Sequence, residues 1–462
     1  MPHRDLARRS FLKTAGCSLL AAPLIESSAA QPPQPASPSA SKLTLNVRDF
    51  GATGDGVTKD TVAIQQAIDR CWVLGGGEVL VSAGNYLTGA LALRSNTLLR
   101  LDKDAAILGS PDFADYPVSQ VRWEGKWIQG RTALIYANDA GHTGIVGPGR
   151  IAGNPALGGR PNAQNPLRHP ALIEPIDCHD LRFEDFSTDY RLMWCLHPTY
   201  CDNIVIRNLT IRSTGGNGDG IDIDSCRHVR IDSCDISTGD DCISLKSGRG
   251  MEGYSLLRTT EDVLIANCTM ADSIFACIGI GSETSGGIRN VRIEHCKFTH
   301  AQTFAIYIKS RPGRGAFIED IVADDLDASG MKGGFLRFNI LSSGIQDPAP
   351  VPGDEGIPTI RNFKFSNIRL QDCDTLVDGT GIHPNKPLDG FVLANVTGAC
   401  AKGISLANIN NADLRNIQVT VYTGSRIGIN NVSGSGLEGA VQINPPKLPD
   451  PIQAPAKPYQ IH

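Results

Sequence analysis

Four segments of the chain, NIVIRNLTI, HVRIDSCDI, DVLIANCTM and NVRIEHCKF, can be laid over one another, because each places apolar residues at i, i+2, i+5 and i+7. The sets are Ile204, Ile206, Leu209 and Ile211; Val229, Ile231, Cys234 and Ile236; Val263, Ile265, Cys268 and Met270; and Val291, Ile293, Cys296 and Phe298. Weaker copies start at Leu181, Ala316, Phe363, Phe391 and Ala412, so successive starts fall 23, 25, 34, 28, 25, 47, 28 and 21 residues apart. Alternation with period two reads as strand. One break in step per copy, with no helical stretch between copies, reads as short strands joined by corners. The L-x-x-L-x-L ladder of a leucine-rich repeat is absent. The pattern predicts an all-β, single-domain parallel β-helix in which each copy is one coil and equivalent residues stack about 4.8 Å apart. Cys234, Cys268 and Cys296 then form an inward ladder with Leu209 below.

A solenoid needs covers at its ends. Residues 59–77, KDTVAIQQAIDRCWVLGGG, put Ala63, Ile64, Ala67, Ile68, Cys71 and Trp72 on one helical face, open at Asp60 and stop at a glycine run. This predicts an N-terminal cap helix. The proline-rich tail 447–462 cannot add a regular coil, so the β-helix is expected over 42–446.

The N-terminus reads as processing signal rather than fold. Arg8 to Lys13, RRSFLK, precedes the apolar AGCSLLAAPLI and then SSAA, the layout of an export signal, and it resembles a twin-arginine signal peptide over residues 1–30. Residues 31–41, QPPQPASPSAS, read as a Pro/Ser-rich linker. Removing the first 30 residues, with their four basic and two acidic groups, moves the formal charge from −5 to −7. A mildly acidic chain is a poor partner for nucleic acid, and no other stretch is long and apolar enough to span a bilayer. The expected compartment is periplasmic or extracellular, reached through the twin-arginine machinery. Twelve of the thirteen cysteines lie beyond residue 30. A chain of this size builds a core without disulfides, and these thiols are expected to be buried packing residues.

The chemistry concentrates in NGDGIDIDSC (217–226) and STGDDCISLKSG (237–248). Asp219 and Asp240 are 21 residues apart, close to one coil, so Asp219 and the pair Asp240 and Asp241 should converge on one face. Gly218, Gly220 and Gly239 mark corners at which a side chain can leave the alternation. Three carboxylates so placed cannot all ionise freely, and an acid beside a base is what glycosidic cleavage requires. A calcium site or a solvated loop is the plainer alternative. Asp222, Asp224, Asp232 and Asp235 read as outward, solvated strand residues.

The blocks NGDG, GDDC, IGSE and IKS, in this order on a β-helix, resemble the signature blocks of glycoside hydrolase family 28, the polygalacturonases and their relatives. FGATGDGVTKDTVAIQQAI, WCLHPTYCDNIVIRNLTI, GSETSGGIRNV and KSRPGRG support the resemblance, which covers residues 45–330. It implies a right-handed parallel β-helix and inverting hydrolysis of an acidic plant cell-wall polysaccharide, with no cofactor and no metal. Carried over, Asp240 is the general acid, Asp219 and Asp241 activate water, Asn217 orients the site and Lys309 holds the sugar. Two positions depart from the family: Phe275, Ala276 and Cys277 replace its Gly-His-Gly block, and Tyr307 replaces the arginine of Arg-Ile-Lys. Tyr307 is expected to stack on or hydrogen-bond a sugar. Lys246, Arg249, Arg258, Arg311 and Arg314 offer replacement charge, and His197 a replacement imidazole. The leading expectation is a pectic galacturonan or rhamnogalacturonan hydrolase. A β-helix lyase and a non-catalytic carbohydrate-binding β-helix are the alternatives.

Overall fold

The computed structural model describes residues 43–453 apart from 158–160, 162, 164–165 and 191–192. The expected signal peptide, the linker and the end of the tail lie outside the described residues. Within them, almost every strand pairs in parallel with the strand one coil before and one coil after it. Leu181 pairs with Ile204, Ile204 with Val229, Val229 with Val263 and Val263 with Val291, the register that the apolar pattern predicts. One copy is displaced. Val291 pairs with Ile321, so the coil placed at Ala316 starts five residues later, and Ala316 is itself a left-handed turn residue with φ 52°. The strands run from Thr44–Asn46 to Val441–Gln442.

The break in each copy has a local cause. Asn208, Ser233, Asn267, His295 and Asn367 sit between the two apolar pairs of their copies, and all have φ between 53° and 56°. Short polar side chains tolerate this left-handed region better than branched ones, so the chain turns there at low cost. The turn residues also bond along the axis: Asn208 Nδ2 donates to Asp185 at 2.9 Å, Asn395 to Asn367 at 3.0 Å and Asn416 to Asn395 at 2.9 Å. Inside, the twelve cysteines of the described residues are buried, Cys234, Cys268 and Cys296 among them.

The cap helix spans Thr61–Val73 and buries Ile64, Ala67, Ile68 and Cys71. Trp72 departs from the expected face: it is 49% exposed, with Arg94 over its ring. Asp60 does not cap the helix with its side chain. Its buried carboxylate instead accepts from the Thr53 and Gly54 N–H groups at 2.6 and 3.0 Å, closing the GATGDG loop against the helix start. At the other end, residues 443–453 form no strand, and the Ile452 carbonyl accepts from the Gly353 N–H.

The face that matters for chemistry stacks Ile173–Ile176, the bridging residues Leu196 and Thr199, then Ile221–Asp224, Ile243–Lys246, Ile278–Ile280, Phe304–Lys309 and Gly334–Asn339. Three excursions fold over one side of it. They are the antiparallel hairpin Val118–Trp123 and Lys126–Arg131, the short helix Gly250–Leu256 and the loop around Asp347. Ion pairs join them: Arg122 to Glu252 at 2.8 Å, Lys126 to Glu252 at 2.9 Å, Arg249 to Glu124 at 3.1 Å and Arg249 to Asp347 at 3.2 Å.

Candidate active site

Asp219, Asp240 and Asp241 do converge. Each offers a carboxylate oxygen, and these oxygens all lie within 4.8 Å of one another. The cross-coil backbone bond from Gly220 N–H to the Asp241 carbonyl sets Asp219 beside Asp241. The corner glycines act through close approach rather than through a left-handed backbone. A Cβ at Gly218 would lie 2.1 Å from Ser213 Oγ, and one at Gly239 would lie 2.2 Å from the Gly215 carbonyl oxygen. Asn217, at φ 61°, is the left-handed residue that turns the chain into the site.

The three carboxyls differ in surroundings. Asp219 is buried, and burial, with Asp222 and Asp240 close by, pushes its pKa well above the ordinary carboxylate range. Asp240 is partly exposed, and burial followed by the charge of Asp241 raises it too. Asp241 is buried in an ion pair, accepting from Lys309 Nζ at 2.5 Å and from the Ala276 N–H at 3.3 Å. The lysine expected as a sugar ligand by resemblance therefore spends its ammonium on a carboxylate of the trio. Its Nζ also lies 4.7 Å from the centre of the Phe275 ring, which stands where the family's histidine block begins.

Gly279 makes this pair possible. In its column Gly279 lies between Ser244 and Tyr307, and a Cβ there would be 2.3 Å from Asp241 Oδ2 and 2.9 Å from Lys309 Nζ. Gly279→Ala is expected to displace the Asp241–Lys309 pair and to lower kcat about a hundredfold while the melting temperature stays within a few degrees. A fully active Gly279→Ala would show that the pair is not needed.

Three aspartates read as solvated are not. Asp222 and Asp224 are fully buried, because the excursions cover this side of the sheet. Asp224 accepts from the buried Arg122 at 3.0 Å and from the Gly248 N–H. Asp222 lies 3.3 Å from Lys246 Nζ, yet burial outweighs that charge and lifts its pKa to about 6. Asp235 is exposed and pairs with Arg212, as expected for a solvated strand residue, whereas Asp232 is buried, paired with Arg230 and accepting from Ser233 and Asn267. Lys246 bridges Asp222, Glu283 and Asp219 at 3.3, 3.6 and 3.9 Å, with the Trp194 ring at 5.0 Å. Burial opposes its charge, but the three carboxyls hold its pKa well above the usual value. Two ammonium groups beside the trio make it a poor calcium site, which takes six to eight oxygen ligands.

The remaining expected site residues lie elsewhere or are otherwise engaged. His197 is fully buried beneath Asp222 rather than beneath the trio. Its Nδ1 meets Glu174 at 3.0 Å and its Nε2 meets Thr199 at 3.2 Å, so it does not replace the missing imidazole at the sugar face. Tyr307 is 6% exposed, stacked under Phe275 at 5.7 Å, and Asn339 donates to its hydroxyl at 3.3 Å. Its ring faces are covered, and Phe275 is the partly exposed ring of the pair. Arg258 pairs with Asp177 and stacks on Tyr200. Arg311 donates to the Gly344 carbonyl, and the fully buried Arg314 to those of Ser282 and Ile345. Sequence reasoning missed Asp222, Glu283, Gly279 and Phe275 as site residues. The register 222 to 244 and 224 to 246 was the available signal, since it sets Lys246 one coil above the buried IDID strand.

Glu174 and Glu283 anchor the floor. In both, burial is outweighed, by the charge of Arg168 and the hydrogen bond to His197 for Glu174 and by the charges of Lys246 and Arg314 for Glu283, and the pKa falls from 4.5 to about 2. A depressed native pKa gives stability that is present above 4.5 and lost as pH falls through 2, on the order of 3 kcal/mol for each group. Asp222 has the opposite sign: its contribution is present below 3.8 and lost as pH rises through about 6. The melting temperature should therefore peak on the acid side of neutrality, and Glu283→Gln should blunt the fall below pH 4.5. A melting temperature constant from pH 4.5 to 2 would contradict this.

Residues 75–335 match the sequence profile of glycosyl hydrolases family 28. The chain belongs to this family and is a glycoside hydrolase. A probable polygalacturonase of Vitis vinifera is 31% identical over 76% of this chain and 73% of its own length. An exo-poly-alpha-D-galacturonosidase of Dickeya chrysanthemi is 24% identical over 81% of this chain and 70% of its own. Among solved structures, a hyperthermoactive exopolygalacturonase from Thermotoga maritima superposes with a TM-score of 0.71 at 24% identity, over 82% of this chain and 92% of that one. The fold is thus the right-handed parallel β-helix of this family. No helix among the described residues is long and apolar enough to cross a membrane.

Proposed function

We propose that this glycoside hydrolase cleaves galacturonosyl links of pectic polysaccharide or its oligosaccharides in one inverting step. Asp240, partly exposed and with a raised pKa, protonates the leaving oxygen. Asp219 and Asp241 hold and activate the attacking water. The carboxyl separation is shorter than the roughly 6.5–9.5 Å typical of inverting pairs. The nearest oxygens, up to 4.8 Å apart, still suit one water bonded to two of them, since two hydrogen bonds of about 2.75 Å at a tetrahedral water span about 4.5 Å. The observation that carries the reading is the trio itself, with one member fixed by Lys309 and another left open to the groove. The names of the relatives support galacturonan as substrate. Export as a folded protein through the twin-arginine machinery, to the periplasm or beyond, follows from residues 1–30.

The test is reducing-end release from polygalacturonate, rhamnogalacturonan and their oligomers, with products checked for unsaturation and a chelator arm. Saturated, chelator-insensitive products from galacturonate chains support the reading. Unsaturated products would make the protein a lyase, and binding without any release a carbohydrate-binding β-helix.

A further inference from the structure

We propose that Arg337 supplies the positive charge that position 307 lacks, and that with Phe275 it forms a subsite for the carboxylate and ring of a uronic acid next to the scissile bond. This rests on the galacturonan reading above. Tyr307 and Arg337 are register partners in adjacent coils, so their side chains leave the same face of the sheet about 4.8 Å apart. The Arg337 guanidinium carbon lies 5.3 Å from the centre of the Tyr307 ring and 5.5 Å from that of Phe304. Aromatic faces thus hold the planar cation in place without neutralising it. Phe275 stacks on Tyr307 at an interplanar angle of 19°, and the Lys309 ammonium sits over Phe275. The result is a continuous strip from Asp241 through Lys309 and the aromatic rings to Arg337.

The other cations near the site are committed. Lys246 faces three carboxyls, Arg249 pairs with Glu124 and Asp347, Arg258 pairs with Asp177, and Arg314 is buried on backbone carbonyls. Arg337 differs. Its side chain is 38% exposed, and its ion pair, Nε to Asp378 Oδ2 at 3.3 Å, lacks the alignment of a hydrogen bond. Asp378 has other donors, the Thr380 N–H and hydroxyl. The fork of terminal nitrogens is left to grip a carboxylate in bidentate fashion, while the Phe275 ring meets the sugar's apolar face.

The test compares oligogalacturonides as free acids and as methyl esters, using steady-state kinetics on wild type, Arg337→Gln, Arg337→Lys and Asp378→Asn. A charge-assisted contact predicts that Arg337→Gln raises KM for the free acid about ten- to a hundredfold, more than kcat falls, and changes KM for the ester less than about threefold. Arg337→Lys should recover part of the loss, and Asp378→Asn should lower KM for the free acid. Equal effects on both substrates, or none, would overturn the proposal. If Arg337→Gln fails to fold, an unchanged free-acid KM in Asp378→Asn overturns it. A wild type that cleaves neither substrate would instead defeat the galacturonan reading, and this subsite with it.

Discussion

Asp240→Asn is expected to lower kcat on oligogalacturonides by about 10²- to 10⁴-fold, with little change in KM. The amide keeps the shape and the hydrogen bond to the Asp241 N–H but carries no transferable proton. The wild-type pH profile follows from the same group. Its pKa is raised, so the protonated acid survives above the ordinary carboxylate range, and kcat falls as pH rises through that raised value. The alkaline limb should disappear in the variant. The loss should also shrink on a substrate whose leaving group departs without protonation. Asp240→Asn retaining wild-type activity would remove the acid from the account.

Lys309→Met is expected to cost about 10²- to 10³-fold in kcat, through loss of the Asp241 ion pair rather than through lost sugar contact. The ammonium at 2.5 Å is the partner that fixes the buried Asp241 carboxylate beside Asp219 and Asp240. Without it a buried carboxyl loses its charge-assisted hydrogen bond, and the water loses an oriented partner. KM should change by less than about threefold. If Lys309 served only the sugar, KM would rise while kcat stayed near the wild-type value.

The inner face of the solenoid was legible in the sequence because inward positions repeat coil after coil. Ile204, Val229, Val263 and Val291 give the register without reference to anything outside it. The displaced coil at Ile321 escaped because Ala316 and its neighbours mimic the apolar spacing while a left-handed turn sits at Ala316. Within the site, Asp219, Asp240 and Asp241 were found because one-coil spacing forces neighbours together. Asp222 and Asp224 were misread because alternation distinguishes inward from outward but does not reveal what covers the outside. The hairpin carrying Arg122 comes from about 100 residues earlier in the chain, and nothing in the IDID strand announces it. Burial of His197 and Tyr307 was hidden in the same way, since each is covered by residues from other coils. Arg337 was invisible as a site residue because its role depends on the register with Tyr307 rather than on any motif around it.

The measurement that bears most directly on the central claim is the anomeric form of the first product, followed by proton NMR in the opening minutes of hydrolysis of an α-linked oligogalacturonide. One-step attack by a water held between Asp219 and Asp241 predicts that the β anomer appears first and then mutarotates. Initial release of the α anomer would mean a covalent intermediate on one of the three aspartates, and would contradict the single-displacement account.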